Sequence, residues 1–255
     1  RHGRYDFRQL YPFANGLHQR PVVHEIAACV WRRLKRHYPQ LERPTRAFAT
    51  EVTLDIDQPW RYLHKPNWVQ VGGLLRSISS KPEFRTRWRV LSGKQTDPND
   101  THTELQQRLS NFDLTVFFLL NGTSTYDNRF HSQQPEMQQL VRTYEKTGAR
   151  IGIHPSYGAG LKPDQYRYQL GSLQAITKAA IQTARTHYVL FRLPTTYRIA
   201  IELGIEHEYT TLAPHANGFL HGMCVPFPWY DLDAEAQTEL ILHPTHAMDR
   251  THLTY

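Results

Sequence analysis

The feature that most constrains this chain is an almost unbroken apolar run at residues 114–120 (LTVFFLL). Such a run is typical of a strand that is covered by helices on both faces. Helical patterns and further strand-like segments alternate along most of the chain, which predicts an α/β fold with mainly parallel strands. The predicted strands are residues 47–57, 114–120, 149–154, 183–191, 207–212, 218–227 and 239–243, and the predicted helices are residues 22–38, 101–109, 135–147, 163–180 and 194–204.

Polar residues with useful chemistry recur where these predicted strands end. In a β/α barrel the carboxyl ends of all strands converge on one face, whereas an open doubly wound sheet brings together only the strands beside its switch point. Because polar residues follow several successive strands, we predict a distorted barrel, with the open sheet as the alternative. These residues are Asp55, Asp57, Asn121, His154, Arg185 and His243.

Composition limits the classes of partner. The chain has 255 residues, of which 40% are hydrophobic and 21% charged, and this suits one large folded domain rather than a disordered chain. The net charge of +7 suits anionic partners in general, but the basic residues are scattered, so a generally basic surface is the preferred interpretation. No helix-turn-helix, zinc-finger or RNA-binding pattern is present, so we predict no nucleic-acid partner. No stretch approaches the roughly 20 apolar residues of a membrane span.

Signals for cellular location and redox state are few. No secretory signal is visible, which favours a cytoplasmic protein, although the first residue is Arg1 and not Met. Cys29 and Cys224 are too few for a disulfide scaffold. Each lies in an apolar pattern, so we expect two buried free thiols. No pattern indicates an oligomeric state.

Asp55 and Asp57 are the sharpest local signal. Two carboxylates spaced i, i+2 at the end of a strand point to the same side and repel each other, so one of them must pair with a cation or take up a proton. A metal ion would hold one carboxylate as a ligand and leave the other as a base. The alternative is a solvated Asp-x-Asp loop before Pro59.

His154 is the last residue of a predicted buried strand and precedes Pro155. Its neutral imidazole is well placed to be a metal ligand, and the alternative is a histidine that only hydrogen-bonds at the strand end. Ser156 and Tyr157 come next, and we interpret them as substrate-binding residues or as residues that cap the loop. Tyr62 is a further candidate for the lining of a sugar-binding cleft, because aromatic faces suit sugar rings.

Two later residues complete the candidate site. Arg185 would keep a neighbouring carboxylate ionised and oriented, with Arg192 as an alternative bearer of that role and a surface arginine as the simpler interpretation. His243 ends a predicted strand and could donate a proton to a leaving group, unless it is an ordinary loop histidine.

Several of these segments, in the same order, resemble the polysaccharide deacetylase superfamily, whose shared unit is the NodB homology domain. The sequence is similar to an uncharacterised bacterial branch with the patterns Asp-x-Asp-x-Pro-x-x-Tyr, Gly-x-His-Pro-Ser-Tyr and Arg-x-His-Tyr. The matching segments here are residues 55–62, 152–157 and 185–188. The resemblance covers almost the whole chain.

The resemblance implies a distorted (β/α)7 barrel over residues 46–255, with residues 1–45 as an N-terminal helical and extended segment packed on it. It implies a divalent metal ion, usually Zn²⁺, and hydrolysis of an N-acetyl or O-acetyl group on a glycan substrate. In these terms Asp55 is the general base and Asp57 and His154 are metal ligands, while Arg185 orients Asp55.

Two of the departures from the family pattern bear directly on the candidate site; Arg150, Leu220 and Glu208 are three others. Gly158 stands where the family has a second ligand histidine, so the metal site is either incomplete or completed from elsewhere. The family also continues with a last strand that bears a proton-donating histidine. Here the sequence ends first, so either the chain is a fragment that lacks this strand or His243 serves instead. The alternative function is therefore a degenerate deacetylase-like protein that binds carbohydrate without turnover.

Overall fold

A computed structural model describes residues 6–42, 47–128, 130–213 and 216–252. The predicted boundary between an N-terminal segment (residues 1–45) and a barrel domain (residues 46–255) lies outside these described residues. The described chain divides into two units. A first unit comprises residues 50–157 and 165–181, and a second unit comprises residues up to 49, 158–164 and from 182 onward.

The first unit is built on three parallel strands. They are β1 (Glu51–Ile56), β2 (Asp113–Phe118) and β3 (Arg150–Ile153), and β2 pairs with both of the others. Residues 116–120 are completely buried, as expected for the apolar run that predicted a strand covered on both faces. The core of this unit therefore forms around β2.

The helices of the first unit differ in how much they bury. Two predicted helices, α6 (Pro135–Lys146) and α7 (Pro163–Thr177), bury regularly spaced apolar residues. The short helix α5 (His102–Arg108) also agrees with its sequence pattern. Two further helices, α3 (Asn67–Ser77) and α4 (Lys81–Leu91), lie where the sequence predicted no element, and each buries only one residue.

The second unit contains four strands. They are β4 (Thr183–Ala184), β5 (His207–Glu208), β6 (Phe227–Asp231) and β7 (Ala236–Leu242), in the spatial order β4-β5-β7-β6. The first three in this order are parallel, and β6 is antiparallel to β7. Its helices are α1 (Tyr11–Ala14), α2 (Val22–His37), α8 (Thr195–Glu202) and α9 (Asp249–His252).

The predicted α/β class is confirmed, since the described residues form seven strands, the predicted number, which alternate with helices, and most pairings are parallel. Within the described part of the chain, neither unit closes its strands into a barrel by itself. Several predicted strands are shorter than expected, among them residues 207–212, of which only His207–Glu208 is a strand. Only Thr183–Ala184 of residues 183–191 is a strand, and residues 218–226 form none, because Gly218 and Gly222 adopt positive φ angles that break an extended backbone.

The expectation of two buried thiols is wrong. Cys29 and Cys224 are both exposed. Cys29 lies on α2, and this helix buries none of its residues although its apolar side chains share one face. Across the described residues, no helix has both the length and the apolar character needed to cross a bilayer.

Candidate functional site

The carboxyl ends of β1 and β3 bring two of the predicted site residues together. Phe118 of β2 is the register partner of the last residue in each strand, Ile56 and Ile153. Asp57 and His154 follow these residues directly, and Asp57 Oδ1 lies 3.1 Å from His154 Nε2. The two residues that the sequence nominates as metal ligands are therefore in direct contact.

The surroundings of this pair suit a bound ligand. The side chain of His154 is only 3% exposed, whereas that of Asp57 is 51% exposed, so the pair is anchored on one side and open on the other. A carboxylate oxygen and an imidazole nitrogen are both common Zn²⁺ ligands. Two ligand atoms at about 2.1 Å from a tetrahedral ion lie roughly 3.4 Å apart. The observed separation is close to that value, so these donors fit a divalent ion.

Asp55 lies within β1 and is exposed. It precedes Asp57 by two residues, and because successive side chains of a strand alternate between faces, the two carboxylates lie on the same side of the chain. Its register partner on β2 is Phe117. The Asp57 carboxylate therefore contacts His154, and the Asp55 carboxylate lies two residues earlier on the same side of the chain.

A loop that follows β2 holds the backbone of both ligand-bearing segments. Asn128 donates from Nδ2 to the carbonyl oxygens of Asp57 and Leu119. Asp127 accepts a hydrogen bond from the Tyr157 backbone N–H at 2.8 Å through Oδ1. Its Oδ2 accepts from the Ser124 N–H at the same distance. This loop therefore links the segment after β1 to the segment after β3.

Ser156 is buried inside a network centred on Gln169. The Gln169 side chain accepts from the Ser156 backbone N–H at 3.0 Å and donates to Ser156 Oγ at 2.7 Å. It also donates to the Asn121 carbonyl oxygen at 3.2 Å. Gln165 donates to Ser156 Oγ as well. These bonds fix the turn after His154, which is the loop-capping alternative given above for Ser156, and its role toward substrate stays a prediction.

Tyr157 lies at the edge of the same region and contacts a second tyrosine. Its ring centroid is 4.5 Å from that of Tyr126, with an interplanar angle of 39°. Tyr126 is exposed and belongs to the loop that follows β2. Together the rings offer an aromatic surface of the kind on which a sugar ring can stack.

Tyr62 is completely buried and its hydroxyl donates to Glu83. Its backbone is held by Asp97, whose carboxylate accepts from the N–H groups of Arg61, Tyr62 and Leu63 at 2.7–3.0 Å, and from Asn99. Burial on its own would raise the pKa of Asp97, but these four amide hydrogen bonds outweigh it and lower the pKa. Tyr62 therefore belongs to a rigid loop after β1.

In the second unit, Arg185 is buried just after β4. It donates from Nε to the Tyr209 carbonyl oxygen at 3.2 Å and from a terminal nitrogen to Thr245 Oγ1 at 3.3 Å. Its guanidinium carbon lies 5.8 Å from the centre of the Tyr209 ring. His187 is also buried and begins the 3-10 turn His187–Val189. Both residues are thus held rigidly at the end of a strand.

His243 directly follows β7. Its Nε2 lies 3.0 Å from Nδ1 of His207, within hydrogen-bond distance. The His243 ring also stacks on Tyr209, with centroids 4.1 Å apart and an interplanar angle of 14°. Sequence analysis missed His207, as it missed Asn128, Asp127 and Tyr126. None of these residues ends a predicted strand, so no periodic signal marked them.

Comparisons with known proteins give similarity at the level of solved structures. No family model matches the chain, and no curated protein matches it. A structure from Mycobacterium smegmatis assigned as a polysaccharide deacetylase aligns with 80% of this chain and 61% of its own, at 14% identity and a TM-score of 0.46. This chain therefore spans less than two thirds of that protein's length.

Two further structures align over shorter parts of the chain. IcaB from Ammonifex degensii aligns with 64% of this chain and 84% of its own, at 13% identity and a TM-score of 0.35. A de-N-acetylase from Aggregatibacter actinomycetemcomitans aligns with 63% of this chain and 86% of its own, at 12% identity and a TM-score of 0.34.

Proposed function

We propose that this chain is a metal-dependent hydrolase that removes acetyl groups from a polysaccharide or other glycan. The observation that carries the proposal is the 3.1 Å contact between Asp57 Oδ1 and His154 Nε2. It joins an oxygen and a nitrogen donor at the shared end of two parallel strands, where sequence motifs of the resembling family also fall. The adjacent carboxylate of Asp55 supplies the base that such a reaction needs.

We assign the metal, probed as Zn²⁺, to Asp57 and His154, whose donor atoms lie 3.1 Å apart. Gly158 has no side chain to offer as a third ligand. Water or another side chain would fill the remaining positions of a tetrahedral ion.

The roles of the other residues follow from their chemistry. When bound, a divalent ion supplies Lewis-acid polarisation of the acetyl carbonyl. Asp55 takes a proton from the attacking water, and Arg185 orients that carboxylate. His243 donates a proton to the departing amine or alkoxide oxygen. Tyr157, with Tyr62 and Ser156 fixing the loops around it, positions the sugar.

Metal content tests the ligand assignment. We expect the purified chain, loaded with Zn²⁺ and dialysed, to hold one ion by elemental analysis, and the Asp57→Ala and His154→Ala variants each to lose it. The exposed His131 provides a matched control, because His131→Ala removes an imidazole of the same unit without touching the site. Full occupancy in Asp57→Ala or in His154→Ala would reject the centre.

Acetate release tests the reaction. With an N-acetylated and an O-acetylated oligosaccharide as substrates, we expect Asp55→Asn to lose turnover while retaining the metal ion. Removing a general base typically costs a factor of about 10²–10⁴ in rate. If the wild-type chain bound these sugars and the metal but released no acetate, the carbohydrate-binding alternative, which Gly158 favours, would replace the hydrolase.

A further inference from the structure

The α3–α4 hairpin exposes apolar side chains that the candidate site does not use. Trp68, Val71, Leu75 and Ile78 of α3 and the turn after it are each 58–66% exposed. Their spacings of three, four and three residues place them on one face, within about a quarter of the helix circumference. This apolar stripe is turned toward solvent.

The adjacent helix α4 adds cations to the same region. Lys81, Arg85 and Trp88 follow one another at spacings of four and three, so they share one face, and all three are exposed. An open groove of about 640 Å³ runs along α4 and reaches Ile78, the last residue of the apolar stripe. It is lined by Ile78, Lys81, Pro82, Phe84, Arg85, Thr86 and Trp88.

The opposite face of α4 holds the hairpin in place. Arg87 lies 4.7 Å from the centre of the Tyr62 ring and packs against Gly73 of α3, where any larger residue would collide with its guanidinium group. Glu83, on the same side, accepts from Tyr62 and Arg61. Since the inner face is anchored, the outer face is a fixed surface rather than a loose segment.

Positive charge is concentrated in and around the α3–α4 hairpin. Residues 65–94 contain seven Lys and Arg against one Glu, a balance of +6, while the whole chain has +7. An exposed apolar and aromatic stripe flanked by Lys and Arg is the pattern of helices that lie on anionic membrane surfaces. Val71, Leu75 and Ile78 offer no hydrogen bonds to sugar hydroxyls, which disfavours a glycan as the occupant.

We propose that the α3–α4 hairpin binds the surface of an anionic lipid bilayer. Trp68 and Trp88 sit at the level of the headgroups, and the aliphatic side chains of α3 enter the acyl boundary. Lys81, Arg85 and Arg89 pair with lipid phosphates. This surface does not depend on the metal centre or on the proposed hydrolase activity.

Vesicle flotation tests the proposal. The wild-type chain floats with vesicles made of equal parts phosphatidylglycerol and phosphatidylcholine, and much less with phosphatidylcholine alone. Each cation near an anionic surface contributes about a fivefold gain in binding, so Lys81→Glu with Arg85→Glu lowers it by about 25-fold or more. Trp68→Ser with Trp88→Ser lowers it as well, and metal binding stays unchanged in both double variants.

A matched control separates a local surface from overall charge. Arg142 and Lys146 are exposed on α6 of the same unit, and reversing both to Glu changes the net charge by the same amount. This variant binds the anionic vesicles like wild type. Equal loss in the control would overturn the proposal, as would a wild type that does not float. The proposal would also be overturned if the wild type did not bind vesicles but instead self-associated or bound an acidic polysaccharide, and the Trp68→Ser, Trp88→Ser variant abolished that binding.

Discussion

Carboxylate side chains at the strand ends are exposed in the first unit and buried in the second. Asp55 in β1 and Asp57 directly after β1 are exposed, while His154 directly after β3 is buried. Arg185, directly after β4, and Glu208, the last residue of β5, are both buried and hydrogen-bonded to neighbouring groups. The first arrangement can exchange water for a ligand, whereas the second is a closed polar network.

This contrast teaches that a polar residue at a strand end is not by itself a sign of chemistry. Glu208 accepts from the Thr210 backbone N–H at 2.7 Å and from the Thr210 hydroxyl, and that hydroxyl accepts in turn from the Thr186 N–H. Glu208, Thr210 and Thr186, which form this hydrogen-bond network, are all buried. Its main contribution is thus to the rigidity of the segment that carries Arg185 and His187.

The largest effect is expected for Glu208→Ala. The change leaves buried donors on Thr210 without an acceptor, and such a loss costs about 3 kcal/mol of unfolding free energy. Urea denaturation followed by circular dichroism measures it. The neighbouring Glu206 is exposed and serves as the control, since Glu206→Ala should cost less than about 1 kcal/mol. Equal costs would show that the two strand ends do not differ in the way described.

Asp97 tests whether the loss of unfolding free energy on replacing a carboxylate depends on its burial or on the unit in which it lies. It belongs to the unit with exposed carboxylates but is itself buried under four amide hydrogen bonds. We expect Asp97→Asn to cost about 2 kcal/mol at pH 7, because an amide can accept fewer of these bonds and places a donor against them.

The pH dependence of the Asp97 contribution has a defined sign. The folded pKa is lowered relative to the unfolded value of about 3.9, so the carboxylate stabilises the fold above that pH, and the stabilisation is lost as the pH falls through the folded pKa. The difference between wild type and Asp97→Asn should therefore shrink below about pH 4. The exposed Asp100 is the control, and Asp100→Asn should follow the wild-type curve. A difference that stays constant with pH would contradict the role of Asp97.

The smallest effect on stability is expected for Asn128→Ala, at about 1 kcal/mol, because the two carbonyl oxygens that it serves can be solvated instead. We expect Asn128→Ala to weaken Zn²⁺ binding at the proposed metal centre more clearly than it lowers stability, because Asn128 holds the backbone of Asp57. Residues that hold a ligand in place typically change metal affinity by about 10–100-fold. Competition with a fluorescent Zn²⁺ chelator measures this change. Thr123, an exposed residue of the same loop, is the control through Thr123→Ala.

Local periodicity gave a reliable account of the buried elements and a poor one of the exposed ones. The strand around Val116 and the helix with Met137 and Leu140 agree with their patterns, because the same apolar spacing both forms and buries them. The α3–α4 pair was missed, because its apolar residues face solvent and its sequence is dense in arginine. Conversely, the apolar face of α2 predicts burial around Cys29, yet the helix buries none of its residues.

The sequence by itself determined the α/β class and placed Asp57 and His154 each at the end of a strand, because strand patterns and the residues that end them are local properties of the chain. Only the tertiary structure decided that these two side chains meet at 3.1 Å, since this depends on both strands pairing with β2 in matching register. It also decided that Asn128 and Asp127 hold the segments that follow those strands. Register and loop contacts join residues distant in sequence, and no short-range pattern encodes them.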